Sequence, residues 1–203
     1  MSKLNLCMGF MKEDTKQKLI ITGAEIMHLK GFNNTGIQEI LDKAGIPKGS
    51  FYNFFKSKED FGLQIIDYFV GFFSQIFSQF FGDKSQPPLE RLRLLLRWLI
   101  EFFKSTNFTL GCPIGNFAQE MGDISPAFRE KLKTSLDSMS EQFENILREA
   151  QESGRLSQSM DTRETAHFIL SSWEGALMLM KVAKSTEPLE THIRFIFDYV
   201  LKE

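Results

Sequence analysis

Apolar residues recur at spacings of three and four along nearly the whole chain, and no stretch shows the sustained alternation of a half-buried strand. The first helical segment runs from Asp14 to Lys30, with Ile20, Ala24 and Met27 on one face. Gly31 follows where a left-handed C-cap is needed. The pattern predicts an all-α fold.

Glycine, proline and capping residues divide the pattern into nine helices. A short helix from Ile37 to Ala44 ends at Gly45, and a third helix begins at Pro47. The fourth runs from Ser57 to Phe81, and Asp60 completes a capping box at its start. The same signals predict five more helices: Leu89–Lys104, Pro113–Met121, Pro126–Ser153, Thr162–Lys184 and Leu189–Leu201.

Composition narrows the compartment and the class of protein. The 203 residues contain two widely separated cysteines, which fit neither a disulfide framework nor a metal knuckle, so we expect a reduced, cytoplasmic protein without a metal or cofactor. Residues 1–11 lack the features of an export signal. No stretch approaches the roughly 20 consecutive apolar residues that a membrane span requires, so we expect no membrane partner.

The net charge of −2 is unevenly distributed between the two ends of the chain. Residues 1–60 hold nine Lys and seven Asp or Glu, which gives +2, and the remaining 15 basic and 19 acidic residues give −4. The sign of this asymmetry favours nucleic-acid binding by the N-terminal part, although it is small.

Residues 37–58 have the arrangement of a helix-turn-helix, with two short helices on either side of a turn at Gly45. The first helix offers small and apolar residues to brace the second. The second presents short polar side chains suited to the major groove, with Phe51 and Phe54 left to anchor it from behind. The spacing predicts a DNA-binding element.

The residues themselves resemble the TetR family of repressors. The resemblance lies in Thr35-Gly36-Ile37-Gln38-Glu39-Ile40 and in the run from Ala44 through Pro47-Lys48-Gly49-Ser50-Phe51-Tyr52-Asn53 to Glu59, and it extends back to about Lys16. It implies a nine-helix, two-domain architecture, in which we assign residues 1–56 to the DNA-binding domain and residues 57–203 to the effector-sensing and dimerisation domain. Met8 and Met11 indicate that residues 1–13 are either a disordered arm or an over-long start assignment.

The resemblance also implies roles for single residues. Tyr52 and Lys58 would hold phosphates, Lys48, Ser50 and Asn53 would face base edges, and Gly49 lies among them in the same helix. Thr35, with Gly36 and the amides at the start of the second helix, would hold a further phosphate. Pro47 and Asn53 depart from the commonest family pattern, which leaves the operator sequence open.

One such element contacts few phosphates, so useful affinity for double-stranded DNA calls for two, set about 34 to 36 Å apart or a multiple of that. We therefore expect a homodimer on a palindromic operator. The resemblance favours a four-helix interface, and the apolar stripes of the last two helices are the candidates, although they also fit a protomer core: Ile169, Trp173, Ala176, Leu177, Met180, Ile193, Ile196, Phe197 and Val200.

The C-terminal domain is rich in aromatic residues, which line either a cavity for an apolar effector or an ordinary core. The aromatic candidates are Trp98, Phe102, Phe103, Phe117, Phe143, Phe168 and Trp173. Polar candidates for orienting a ligand are Asn116, Glu120 and Glu174.

Cys112 is a candidate sensor because Gly111-Cys112-Pro113 places a thiol where a helix begins, and the amides there favour a thiolate. The stretch from Leu110 to Arg129 resembles a TetR branch whose members control detoxification of reactive electrophiles. That resemblance implies a sensor role for Cys112 and places Lys181 near the thiol. The alternative is a small buried hydrophobe.

Two other classes of function remain open. A cysteine-dependent hydrolase is disfavoured because His28, His167 and His192 lie on separate helices and no catalytic motif is present, so we expect no enzyme. The other is an architectural DNA-binding protein that has no effector.

Overall fold

The computed structural model describes residues 14–202, and within that range the protein consists of helices and connecting loops. The predicted arm at residues 1–13, including Cys7, lies outside the described residues. Eight α-helices are present: α1 Thr15–Lys30, α2 Ile37–Ala44, α3 Lys58–Phe81, α4 Pro88–Ser105, α5 Pro113–Met121, α6 Pro126–Glu152, α7 Thr162–Ala183 and α8 Glu187–Phe195. A 3-10 helix, Lys48–Asn53, lies between α2 and α3, and a π-helical turn, Ile196–Val200, continues α8.

The all-α fold and the nine predicted helices are confirmed in the described range. Helix starts agree because capping is local: the Ser57 hydroxyl accepts the Asp60 amide at 3.0 Å, and the Asp60 carboxylate accepts the Lys56 amide at 2.8 Å. At α7, the Asp161 carboxylate accepts the Glu164 amide at 2.9 Å. Each bond satisfies an amide that the helix itself leaves unpaired.

The third helix differs from the expectation in type. It is a 3-10 helix that begins after Pro47, and its hydrogen bonds join Ser50 N to Pro47 O at 2.9 Å and Phe54 N to Phe51 O at 3.0 Å. Such i+3 bonding suits a short element of about this length. Pro47 is therefore the residue before the helix, with φ −58° and ψ 143°, and not its first residue.

The chain divides into two compact units between Tyr68 and Phe69, a point that lies within α3. The boundary drawn from the sequence between residues 56 and 57 marks the end of the DNA-binding segment and stays a prediction.

The first unit packs around α1, which is buried over most of its circumference, including the predicted residues Ile20, Ala24 and Met27. Phe51 and Phe55 are buried beside Phe61, with ring centroids 4.6 to 5.3 Å apart. Phe54, expected to share the anchoring, is only half-buried, and Phe55 takes that place. These rings fix the 3-10 helix from behind.

The second unit contains a buried charge as well as an apolar core. Arg91 on α4 is 1% exposed; its guanidinium donates to the Phe81 carbonyl at the end of α3 and pairs with Glu149 on α6. Lys84 also donates to Glu149, at 2.6 Å. A cation at a helix C-terminus complements the exposed carbonyls there, so Arg91 ties together the end of α3, α4 and α6.

Candidate nucleic-acid interface and effector cavity

The polar side chains of the 3-10 helix face solvent, as a DNA-binding helix-turn-helix requires. Lys48, Gly49, Tyr52 and Asn53 are exposed, with Tyr52 67% exposed, and Ser50 is half-buried. Apolar Phe51 turns inward between them. This alternation leaves one polar face free for the edges and phosphates of a duplex.

Lys58 is held in place at the start of α3. Its ammonium lies 4.5 Å from the centre of the Phe32 ring and 3.4 Å from the Asn33 carbonyl oxygen. An ammonium over an aromatic face is attracted by the ring quadrupole. Lys58 therefore presents its charge with little freedom left to lose on binding.

The Thr35 hydroxyl is not available for the phosphate contact that the family resemblance implied. The residue is 1% exposed, and its hydroxyl donates to the Gly31 carbonyl at 2.7 Å. A phosphate accepts hydrogen bonds and does not donate them, so a hydroxyl committed to a carbonyl cannot serve it. Thr35 supports the turn before α2, whereas Gly36 is exposed at the N-terminus of that helix, which has no side-chain cap.

The second unit contains a cavity among helices α3, α4, α6 and α7 and the start of α5. The space inside it that a water-sized sphere can occupy is about 30 Å³. Sites for drug-sized ligands measure about 300 to 1,000 Å³, so a ligand of that size must displace lining side chains to enter. Its lining residues are Phe73, Ile76, Phe77, Leu95, Leu99, Phe103, Cys112, Met139, Phe143, Leu170, Trp173, Glu174 and Leu177.

Cys112 lines this cavity, but its thiol is not activated as expected. The Gly115 amide donates to Sγ at 3.4 Å, so the predicted contact with the helix start exists. The residue is 6% exposed, however, and burial first and Glu174 second raise the pKa of the Cys112 thiol well above its ordinary value. Desolvation and a neighbouring carboxylate both disfavour a thiolate, so the predicted thiolate is wrong for this state.

Lys181 does not supply the compensating charge. Its ammonium lies 3.8 Å from the position that a Cβ on Gly111 would take, which places it beside the residue before Cys112. Lys181 is not a cavity-lining residue, and Glu174 is the ionisable group that acts on the thiol. Lys181 therefore approaches the backbone at Gly111, the residue before Cys112.

The other effector candidates divide into two groups. Trp173, Phe103, Phe143 and Glu174 line the cavity, as does Cys112. The remaining candidates do not line it: Trp98, Phe102, Asn116, Phe117, Glu120 and Phe168. Phe117 packs within the core against Phe128, and Trp98 stacks on Phe102 near the surface. Aromatic content alone does not separate these environments.

The sequence did not lead us to predict that α3 lines the cavity. Phe73, Ile76 and Phe77 recur at three and four residue spacing, so their helical periodicity was the available signal. Only the packing of α4, α6 and α7 shows that this stripe borders a cavity.

The residues predicted for the dimer interface lie on the faces of the last two helices that pack against the protomer's own core. All but half-buried Val200 are buried within the protomer: Ile169, Trp173, Ala176, Leu177, Met180, Ile193, Ile196 and Phe197. Side chains already packed against their own core have little surface left for a partner. The exposed apolar residues are on the other face: Phe168, Met178, Leu179 and Val182 on α7, and Phe195 and Tyr199 after them.

Comparison with known proteins places both units in one family. Residues 19–65 match the bacterial regulatory proteins of the tetR family, and residues 88–196 match the tetracyclin repressor-like C-terminal domain. The second match alone covers more than half of the chain. The chain belongs to the TetR family.

The chain is similar to two transcriptional regulators along almost its whole length. It is 38% identical over 178 residues to the transcriptional regulator AcuR of Cereibacter sphaeroides, covering 88% of this chain and 81% of the relative. It is 32% identical to the HTH-type transcriptional repressor DhaR of a Mycobacterium species, covering 92% of each chain. It therefore functions as a DNA-binding transcriptional regulator.

Solved structures agree on the fold. The crystal structure of a TetR regulatory protein from Rhodobacter sphaeroides has 38% identity and a TM-score of 0.84, covering 89% of this chain and 95% of the other. The reduced form of NemR from Escherichia coli has 25% identity and a TM-score of 0.81, with the same coverage. These relatives are regulators and not enzymes, in line with the sequence expectation.

Residues 14–202 contain neither a candidate membrane span nor a candidate metal site. No helix among them is both long and apolar enough to cross a bilayer. No group of three or more His, Cys, Asp or Glu side chains is placed to hold a metal ion in the same range.

Proposed function

We propose that the regulator is a homodimeric repressor that binds a palindromic operator and releases it when a small molecule occupies the cavity of the second unit. The observation that carries the proposal is that an exposed polar 3-10 helix and an aromatic-lined cavity occur in a chain with one long helix common to both units. Helix α3 begins at Lys58, and its later turns carry Phe73 and Phe77 of the cavity lining.

Release requires two states that the ligand distinguishes. An effector that binds the low-affinity state better weakens operator binding by its differential affinity, and a coupling of about 1 to 3 kcal/mol gives about 5 to 150-fold. Because α3 carries both Lys58, a predicted phosphate contact, and Phe73 and Phe77 of the cavity lining, displacement of its later turns by a ligand is the proposed route.

The operator part of the proposal is tested by binding to DNA from the regions flanking the protein's own gene. Lys58→Ala is expected to weaken binding to every sequence and to make the affinity less dependent on salt, by about one phosphate contact per protomer. Asn53→Ala is expected to alter sequence preference. Lys104→Ala, which removes an exposed lysine of α4, is the control and should change neither. Equal effects of Lys58→Ala and Asn53→Ala on both measures would contradict these roles.

A second mode of release is favoured by one observation: Cys112 lines the cavity, so an electrophile that enters meets its sulfur. The thiol would add to an electron-poor carbon, forming a sulfur–carbon bond, with the thiol proton ending on the adduct. Electrophile sensing, which NemR suggests through 25% identity, is proposed as this variant of the mechanism.

N-ethylmaleimide distinguishes the two modes of release. In a Cys7→Ser background, covalent sensing predicts release of the operator by N-ethylmaleimide and no release after a further Cys112→Ser change. Identical release in both proteins assigns release to reversible ligand binding or to another residue. Retention of a specific operator complex under every ligand and electrophile would support the architectural alternative.

A further inference from the structure

The cavity wall combines aromatic rings with a single carboxylate. Glu174 is the charged side chain among its lining residues, and no lysine or arginine of the described chain joins it there. The rings of Phe73, Phe77 and Trp173 are among the other lining groups. The cavity is thus apolar and aromatic, with one acidic group.

The fold makes room for this carboxylate in a specific place. A Cβ on Gly115 would lie 2.2 Å from Glu174 Oε2, so any other residue at position 115 would collide with the carboxylate. The Cys112 thiol and this carboxylate are neighbours that shift each other's pKa: Glu174 raises the pKa of the thiol, and Cys112 lowers that of Glu174. Oε1 is sealed from solvent and has no hydrogen-bond partner among the described residues.

An unpaired buried acceptor is costly unless a donor reaches it. We propose that the cavity binds a small apolar amine as its ammonium ion, with Glu174 Oε1 accepting a hydrogen bond from an ammonium N–H and the aromatic rings packing around its hydrocarbon body. This inference rests on the proposed function, in that it names the class of effector for the same cavity.

Three observations favour an ammonium over other ligands. An ammonium pairs with the carboxylate through a charge-assisted hydrogen bond, and aromatic faces attract cations. A carboxylate ligand would meet a like charge and no basic lining residue. Burial raises the pKa of Glu174 with only partial compensation from Cys112, as expected for a carboxyl group in a lining without lysine or arginine.

The test compares three ligands with one hydrocarbon body: 4-phenylbutylamine, 4-phenylbutanol and 4-phenylbutyrate. Dissociation constants are measured by calorimetry on the full chain. The proposal predicts that the amine binds at least about tenfold more tightly than the alcohol, as expected for a hydrogen bond to a charged group, and that the butyrate binds most weakly. Trp98→Phe leaves Trp173 as the only tryptophan, so a change in its fluorescence locates the ligand in the cavity.

Glu174→Gln keeps the shape of the side chain and removes the charge, and it should abolish the preference for the amine over the alcohol. Glu141→Gln, an exposed change on α6, is the matched control and should retain it. Gly115→Ala should weaken amine binding by displacing the carboxylate. Circular dichroism confirms that each variant is folded.

Several results would overturn the inference: tightest binding by the butyrate or the alcohol, an unchanged amine preference in Glu174→Gln, or no binding of any of the three. The first two would leave the proposed function intact, because they show an occupied cavity with a different selectivity. Failure of the wild-type protein to bind any operator, measured separately, would overturn the proposed function and not the ligand preference.

Discussion

Cys112 is subject to two opposing influences at the start of α5. The amides of a helix N-terminus stabilise a negative charge by a modest amount in exposed settings, about 0.3 to 1 kcal/mol. Desolvation of a buried ion is a far larger effect. At 6% exposure the second effect is the greater, and the neighbouring Glu174 adds to it. A thiol in this position is protonated until a ligand or a structural change alters its surroundings.

His192 offers a second case of burial deciding a charge state. Nε2 lies 2.9 Å from the Ser172 hydroxyl, which itself lies 2.6 Å from the Phe168 carbonyl oxygen. The Ser172 hydroxyl donates to that carbonyl, so it accepts from Nε2–H. Burial lowers the pKa of His192 to about 4.

This lowered pKa predicts that the protein loses stability in mild acid. Because the unfolded chain binds a proton near pH 6.5 and the folded chain only near 4, stability is full above pH 6.5 and falls as the pH drops toward 4. The loss from this residue between pH 7 and 5 is at most about 2 kcal/mol. Urea unfolding at both pH values measures it.

His192→Gln keeps a donor toward Ser172 and removes the titration, so the fall in stability between pH 7 and 5 should be smaller in this variant. His167→Gln changes an exposed histidine and should behave as the wild type. Equal pH dependence in all three proteins would mean that His192 titrates normally.

At the scale of elements, the packing of α1 on α3 depends on the absence of a side chain at Gly23. A Cβ there would lie 2.4 Å from Phe61 Cζ and 3.0 Å from Ile65 Cδ1. Gly23→Ala is expected to destabilise the protein by about 1 to 3 kcal/mol, the usual range for overpacking. Denaturant unfolding of the full chain gives the value.

Gly71→Ala is the comparison, because it is the same change in a helix with nothing within 4 Å of the new methyl group. Alanine at an open helical position stabilises by about 0.5 to 1 kcal/mol. The two substitutions should therefore shift stability in opposite directions, and shifts of the same sign would contradict the packing described here.

Most helix bounds were predictable from the sequence because their signals are local. Ser57, Ser125 and Asp161 cap helices through atoms within three residues, with the Ser125 hydroxyl accepting the Phe128 amide at 3.3 Å. The 3-10 form of Lys48–Asn53 was not predictable in this way, since a short helix takes its geometry partly from the packing of Phe51 and Phe55.

The face of a helix that meets its own core was less accessible to sequence reasoning. Helix α7 has two apolar stripes, one through Ile169, Ala176 and Met180 and the other through Leu179 and Val182. Periodicity describes both and assigns neither. Only the packing of α7 against α6 and α8 shows that the first stripe is core. The cavity-lining residues could be predicted only in part because they too are defined by packing between helices.

At the scale of the whole molecule, the second stripe is the proposed surface for the dimer. Val182 is 83% exposed and Leu179 56%, and the stacked rings of Phe195 and Tyr199 extend the same kind of surface from α8 into its π-helical turn. Large apolar side chains gathered on adjoining helices are typical of an interaction site. Two copies joined there would carry two DNA-binding segments.

Leu179→Asp should convert the dimer to a monomer, because a buried unpaired carboxylate at the interface is unfavourable. Operator affinity should fall by at least about tenfold, since one helix-turn-helix alone contacts few phosphates. Ile124→Asp places the same charge on a residue that is 65% exposed in the turn before α6, and it should leave both properties unchanged. Sedimentation measures the mass and fluorescence anisotropy the affinity; a dimer that survives Leu179→Asp would mean that the subunits meet through another surface.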